Sequence, residues 1–218
     1  VGVDTSVPVD TSVPVDTSVP VDTSVPVDTS ADSDTDTDMG GTGHTGADTA
    51  DTGPQDLGTV IISEVCDHQT NYKAKFIEIT NASMESQNIK DWEIRRYSNG
   101  SSTGYSLVFG DITLASGESL VATYSAAEFK VVFGDLSPNL VGSTQISGNG
   151  DDVYELFDTV QVVDIYGEVG VNGSGTAWDY LDAVAKRLPP VVTGTTVWDA
   201  NEWVITSGDG DANPFDRN

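Results

Sequence analysis

Cysteine, basic residues and long apolar runs are all scarce in this chain of 218 residues. Cys66 is the only cysteine, which excludes an intrachain disulfide. No apolar run approaches the roughly 18 residues of a transmembrane helix, so we expect no membrane insertion. Lysine and arginine together number 9, against 35 aspartates and glutamates, which gives a formal net charge of −26. This charge repels phosphate backbones and anionic surfaces, so we expect no nucleic-acid binding, whereas divalent cations and basic partners are favoured.

Residues 1–56 form a low-complexity tail. The hexapeptide VDTSVP begins at Val3 and occurs 4 times in succession, followed by a truncated copy, VDTS, at 27–30. The tail contains 12 aspartates and no glutamate, lysine or arginine. Each repeat has too little apolar surface to form a core, and its proline favours an extended or polyproline backbone. Two interpretations remain open: a charge-extended linker, or a strand that a partner or a glycan coat orders.

Hydroxyl side chains recur throughout the repeats, close to the prolines, as in O-glycosylated stalks. The predicted glycosylation sites are Thr5, Ser6, Thr11, Ser12, Thr17, Ser18, Thr23 and Ser24. Asn81, Asn99 and Asn172 lie in N-x-S/T sequons, which carry less weight because a chain this rich in serine and threonine produces some by chance.

From Leu57 onward, short β-branched and aromatic runs alternate with glycine, asparagine, aspartate and serine. The predicted strands are 60–65, 74–80, 92–98, 105–110, 118–124, 152–158, 160–167 and 202–206. A helix is predicted only around 125–130, and a further turn at 180–185. Residues 57–218 are therefore predicted to form an all-β sandwich large enough to bury a sizeable core.

Segments of this domain resemble the lamin tail domain family in its bacterial, extracellular form. They are ISEV (62–65), KFIEITN (75–81), IKDWEIRRYSNG (89–100), NGDDVYELFD (149–158), VVDIYGEVG (162–170) and WDYLDAVAKR (178–187). The resemblance covers about residues 58–207 and leaves the tail outside the family. It implies an immunoglobulin-like β-sandwich without a shared catalytic site, in a protein that is secreted or held at the bacterial cell surface.

Cys66 and His68 are the residues that come nearest to a catalytic pair. They fall on one face if the first strand continues as far as His68, and a thiol beside an imidazole can act as a nucleophile. A packed thiol next to an exposed loop histidine is the simpler interpretation, because no oxyanion loop or orienting group is recognisable. We therefore expect a protein that is not an enzyme.

Calcium is the one cofactor that the sequence suggests. Asp209, Asp211 and Asn213 place oxygen side chains at alternate positions of a glycine-containing loop, which is the spacing of calcium sites. Asp216 does not stand where a bidentate ligand would be needed, and a polar C-terminal turn is the alternative. The oxygen-rich segment 149–152 contains Asn-Gly and predicts a hairpin turn.

Two basic pairs, Arg95-Arg96 and Lys186-Arg187, are predicted to be solvated or to form ion pairs with the many acidic residues. Docking of an acidic tail segment onto these pairs is the alternative.

Taken together, these features predict a non-catalytic structural protein at the cell surface. In the mechanism that we favour, the tail of one subunit pairs with an exposed sheet edge of the next, and this head-to-tail contact builds a homo-oligomeric filament. Alternatively, the tail is a spacer that holds a binding or adhesion domain away from the cell. A third hypothesis is an accessory domain of a secreted hydrolase.

Overall fold

The structure is a computed structural model that describes residues 58–136 and 139–217. The predicted repeat tail and its glycosylation sites lie outside the described residues. The strands are β1 (Val60–Cys66), β2 (Phe76–Asn81), β3 (Gln87–Asn88), β4 (Glu93–Tyr97), β5 (Tyr105–Val108), β6 (Thr113–Leu114), β7 (Ser119–Thr123), β8 (Leu140–Gly142), β9 (Val153–Phe157), β10 (Val162–Tyr166), β11 (Ala183–Arg187) and β12 (Trp203–Ser207). The helices are α1 (Ala126–Phe133) and a 3₁₀ turn (Ala200–Glu202).

Two sheets face each other across one core. The larger sheet has the order β12-β11-β1-β2-β7-β8, the smaller has the order β10-β9-β4-β5, and β3 pairs with β6. Neighbouring described strands are antiparallel except β7 and β8, which are parallel. Buried side chains from both sheets, such as Ile77 of β2 and Leu156 of β9, belong to one hydrophobic cluster. The structure therefore confirms the predicted immunoglobulin-like β-sandwich.

Strand β2 is buried on both of its faces. Ile77 and Ile79 point into the sandwich, as their alternation predicts, and Phe76 and Glu78 lie on the outer face. The outer face is buried as well, because α1 and the end of the chain cover it. Phe76 packs against Phe129 of α1 with the ring centroids 5.6 Å apart.

Helix α1 lies close to its predicted position and runs further than the sequence indicates. The hydroxyl of Ser125 accepts a hydrogen bond from the backbone N–H of Glu128, which caps the first turn. Gly134, with a φ of 86°, ends the helix. The helix therefore extends to Phe133 rather than to Lys130.

The turn predicted at 180–185 was right at its start, where Ala183 donates its backbone N–H to Tyr180 at 3.0 Å, and wrong at its end. Residues Ala183–Arg187 form β11, which pairs with both β1 and β12 in the larger sheet. Ala183 and Ala185 face the core with small side chains, so this strand lacks the β-branched enrichment that marks strands in a sequence.

The hairpin turn predicted at 149–152 was also wrong. This segment does turn, but it leads into β9 from a strand of the opposite sheet, so it does not join paired strands. Asp152 is fully buried and accepts a hydrogen bond from Arg96 Nη1 at 2.6 Å.

A buried ion pair joins the two sheets. Arg187 of β11 donates from Nη1 to the carboxylate of Asp164 on β10, and both side chains are fully buried. Asp164 also accepts from the backbone N–H of Ile62 at 2.7 Å and of Thr195 at 3.0 Å. Of the basic residues predicted to be solvated or paired, Arg96 and Arg187 are thus paired inside the domain rather than at its surface.

Candidate functional site

The thiol of Cys66 is not activated. Strand β1 ends at Cys66, whose side chain is packed in a second hydrophobic cluster with Phe76 and Phe129. Burial raises the pKa of the Cys66 thiol, and the nearby carboxylate of Glu64 raises it further. His68 is buried, not exposed as the simpler interpretation expected, and its Nδ1 lies 3.0 Å from the carboxylate of Asp209. A protonated, enclosed thiol is a poor nucleophile, so this pair has the features of packing rather than of catalysis.

We expect Cys66 to react with a thiol-specific reagent at least about 100-fold more slowly in the folded chain than in the unfolded chain, because reaction requires local opening. Labelling with a chromogenic disulfide in buffer and in denaturant measures both rates. Ser106→Cys introduces a thiol at an exposed position of β5 and serves as the control. Equal labelling of Cys66 and of the introduced thiol in buffer would contradict the buried position.

Two residues of the predicted calcium loop, Asp209 and Asn213, contact other parts of the domain. Asp209 lies against His68, and the backbone N–H of Asn213 donates to Glu64 Oε1 at 3.0 Å. Asp211 is exposed. Across 58–136 and 139–217, no group of three or more histidine, cysteine, aspartate or glutamate side chains is arranged to hold a metal ion. Calcium binding stays a prediction.

Sequence reasoning missed a pair of buried glutamates. Glu64 and Glu78 are partners in the β1–β2 register, and both are buried on the outer face of the larger sheet. The pairing shifts between Ile62 and Glu64, a bulge that turns Ser63 outward as well, and its hydroxyl donates to Glu78 Oε1 at 2.6 Å. Alternation alone suggests that these side chains are solvated.

The C-terminal segment (208–217) encloses these two glutamates. Its backbone N–H groups at Asn213 and Phe215 donate to Glu64 and Glu78, respectively. Burial raises the pKa of Glu64 to about 8, with a contribution from the charge of Glu78, and burial also raises the pKa of Glu78. The two carboxyl groups therefore fasten the end of the chain to the sheet. No signal in the sequence links positions so far apart.

Two of the outermost strands, β5 and β12, have exposed residues along them. Two backbone hydrogen bonds flank the paired strands β11 and β12: the N–H of Leu188 donates to the carbonyl of Glu202, and the N–H of Gly208 donates to that of Asp182. These two bonds determine which residues of β12 direct their N–H and C=O groups toward β11. Val204 and Thr206 do so, whereas Ile205 and Ser207 direct theirs away from the sheet. In β5, Phe109 donates to Trp92, so the backbone groups of Ser106 and Val108 turn away from β4.

Strand β10 is covered, in contrast. Gly194 lies so close to it that a side-chain carbon there would overlap the carbonyl oxygen of Val163. The neighbouring Thr195 donates its backbone N–H to Asp164 of β10. Strand β8 has only 3 residues, so β5 and β12 are the edges of the described sandwich that offer several unpaired backbone groups.

A family model described as the Lamin Tail Domain matches residues 54–170, more than half of the chain. The chain belongs to the lamin tail domain family. This confirms the resemblance noted in the sequence. A second model, described as a Schizosaccharomyces pombe repeat of unknown function, matches residues 3–32 of the tail. No curated protein matches the chain.

This lamin tail domain continues past the end of the family match. Strand β11 lies between β1 and β12, so the larger sheet is incomplete without residues that follow 170. The edge strand β12 and the C-terminal segment therefore lie outside the matched residues. No described helix of this lamin tail domain is long and apolar enough to cross a membrane.

Proposed function

We propose that the chain is a non-catalytic, extracellular structural protein, the subunit of a surface filament in which the repeat tail connects one subunit to the next by strand addition. The observation that carries this proposal is the open edge β12. A row of backbone donors and acceptors that face away from their own sheet is a template for an extended segment of another chain.

The rest of the described domain agrees with a structural role. Cys66 is enclosed, and the buried ion pair of Arg187 and Asp164 joins the two sheets. Family membership implies a structural domain, and the chemistry of the described residues adds no activated nucleophile. The acidic composition, with a formal charge of −26, keeps single subunits soluble and favours basic partners or cations during assembly.

We expect the full chain to form assemblies that grow with concentration, and a variant lacking residues 3–26 to stay monomeric. The physical reason is that deletion removes the segment that occupies the neighbour's edge while leaving the sandwich intact. Sedimentation velocity over a hundredfold concentration range, with electron microscopy of the same samples, measures both. A full chain that remains monomeric throughout would overturn the filament proposal.

A second candidate, a binding domain displayed on a stalk, is favoured by one cavity. It has a volume of about 400 Å³ and is lined by Trp178, Trp198, Glu155 and Glu168, among others. Aromatic walls with a few polar groups are common in ligand sites. A monomeric full chain that binds a small ligand in this cavity would favour the stalk over the filament.

A further inference from the structure

The repeat has an even period, and this gives the tail two chemically distinct faces in any extended strand. Side chains alternate in a strand with a period of two. From Val3 to Thr29, every valine and threonine therefore falls on one face, and every aspartate, serine and proline falls on the other. An odd period would have mixed the two sets.

The same parity governs the backbone donors. Successive residues of a strand direct their N–H groups to opposite sides, and proline has none. The prolines are Pro8, Pro14, Pro20 and Pro26, all at even positions. The valine and threonine positions thus supply an unbroken row of donors along one side, whereas the other side lacks a donor at every third position. Such a segment can add to one sheet edge and cannot easily accept another strand behind it.

Strand β12 matches both properties when the added segment runs antiparallel to it. Its backbone groups at Ile205 and Ser207 face outward, so they pair with the valine and threonine positions of the tail. Directly paired residues of antiparallel strands place their side chains on the same face. Ile205 packs against the core, so the valines and threonines would extend the core, and the aspartates and serines would lie on the outer face beside Val204.

The outer face next to β12 carries the positive charge of Lys186, which lies opposite Glu64 of β1 and acts to lower the pKa of that carboxyl. Lys186 of β11 is the register partner of Val204, and both line one cavity on that face. Lys186 forms no ion pair with any residue in 58–136 or 139–217. An aspartate in every repeat, on this face of the added strand, is the charge that complements it.

Strand β5 fits less well. Its outward backbone groups belong to Ser106 and Val108, whose side chains are exposed, whereas Leu107 packs against the core. An antiparallel tail would place its aspartates on the core side there. Only parallel addition would bring valine and threonine to that side, and parallel pairs are slightly less stable per residue.

We infer that the VDTSVP repeats of a second copy of this chain add antiparallel to the free edge of β12, with the valines and threonines over the core and the prolines facing away. The inference rests on the proposed filament function and names its contact. The proline phase and the apolar face together admit antiparallel addition to β12 and parallel addition to β5, and the greater stability of antiparallel pairs and the charge of Lys186 favour β12.

The test uses two tail variants of the full chain with identical composition. In the first, threonine and proline are exchanged within every complete repeat, as in Thr5→Pro with Pro8→Thr, which moves each proline into the row of pairing donors. In the second, serine and proline are exchanged, as in Ser6→Pro with Pro8→Ser, which keeps each proline in its original phase. Sedimentation velocity should show assembly weakened at least about tenfold in the first variant and little changed in the second. Neither variant alters the folded domain, so misfolding cannot produce the result.

Two edge variants locate the contact. Ile205→Pro removes an outward donor from β12 without removing a bond to β11, and Ser106→Pro does the same on β5. We expect the first to abolish assembly and the second to leave it, with thermal melting as the check that both fold.

The outcomes separate the two proposals. Assembly that survives the threonine–proline exchange, or that is lost in Ser106→Pro and kept in Ile205→Pro, overturns this inference and leaves the filament standing. A wild-type chain that never assembles overturns the filament itself.

Discussion

Replacing Asp164 by alanine is expected to lower the free energy of unfolding by about 3–5 kcal/mol. The carboxylate of Asp164 is fully buried, and it accepts from Arg187 and from the backbone of Ile62 and Thr195. Its removal leaves the buried guanidinium of Arg187 with Glu202 as its remaining carboxylate partner. It also deprives the backbone N–H groups of Ile62 and Thr195 of their acceptor, and each buried group left unsatisfied is costly. It also removes the contacts that Asp164 of β10 makes with β1 and β11 of the larger sheet.

Denaturant unfolding followed by tryptophan fluorescence measures this loss, and the slope of the transition shows whether unfolding stays cooperative. Glu93→Ala is the matched control, because it removes the partner of Arg95 in a partly exposed ion pair and should cost about 1 kcal/mol or less. Replacing both Asp164 and Arg187 by leucine should recover part of the loss, since no buried charge is then unpaired. A cost for Asp164→Ala no larger than that of the control would contradict the buried pair.

The folded domain is expected to lose stability as the pH rises through neutrality. Burial raises the pKa of Glu64 to about 8 in the folded chain, from 4.5 in the unfolded chain. The folded state therefore holds a proton that the unfolded state releases between these values, so the contribution of Glu64 is complete below the lower pKa and lost as the pH approaches the upper one. The slope from this residue alone approaches about 1.4 kcal/mol per pH unit. Glu78 adds a loss of the same sign, because burial raises its pKa as well.

Urea unfolding between about pH 6.5 and pH 8.5 tests this dependence, in a range above the pKa of Asp164, which burial raises to about 6. Glu64→Gln keeps an acceptor for the backbone N–H of Asn213 and cannot ionise, so its stability should fall less steeply with pH. Glu85→Gln, at an exposed position, makes the same change of charge and should retain the wild-type slope. Parallel curves for Glu64→Gln and wild type would show that Glu64 does not take up this proton.

Local sequence patterns predicted most strands because they depend on neighbouring residues. The strand predicted at 74–80 is observed as Phe76–Asn81, and the helix predicted around 125–130 is observed as Ala126–Phe133. Strand β11 escaped prediction, since alanines at 183 and 185 carry no β-branched signal and gain their place only by pairing with β1 and β12. Tertiary pairing overrode a weak local preference.

The proposed contact between the tail and β12 also depends partly on local sequence and partly on tertiary structure. The composition and period of the tail are properties of the sequence, as is the parity that keeps its prolines in one phase. Which strands end up at a sheet edge depends on the sheet order, and no local pattern contains that order. The edge β12 could therefore be identified only once β11 had been placed between it and β1.

By itself, the sequence determined an acidic chain without an intrachain disulfide, with a repetitive tail and an all-β domain, because composition, period and alternation are carried by adjacent residues. The lamin tail type of the sandwich followed from the resemblance to that family. Only the tertiary structure decided the roles of its charged residues. Arg187 and Asp164 meet across two sheets, and Glu64 and Glu78 are enclosed by the end of the chain. Burial depends on contacts between distant segments of the chain. Polar residue types that indicate a solvated surface in the sequence can therefore be buried and form ion pairs or hydrogen bonds inside the fold.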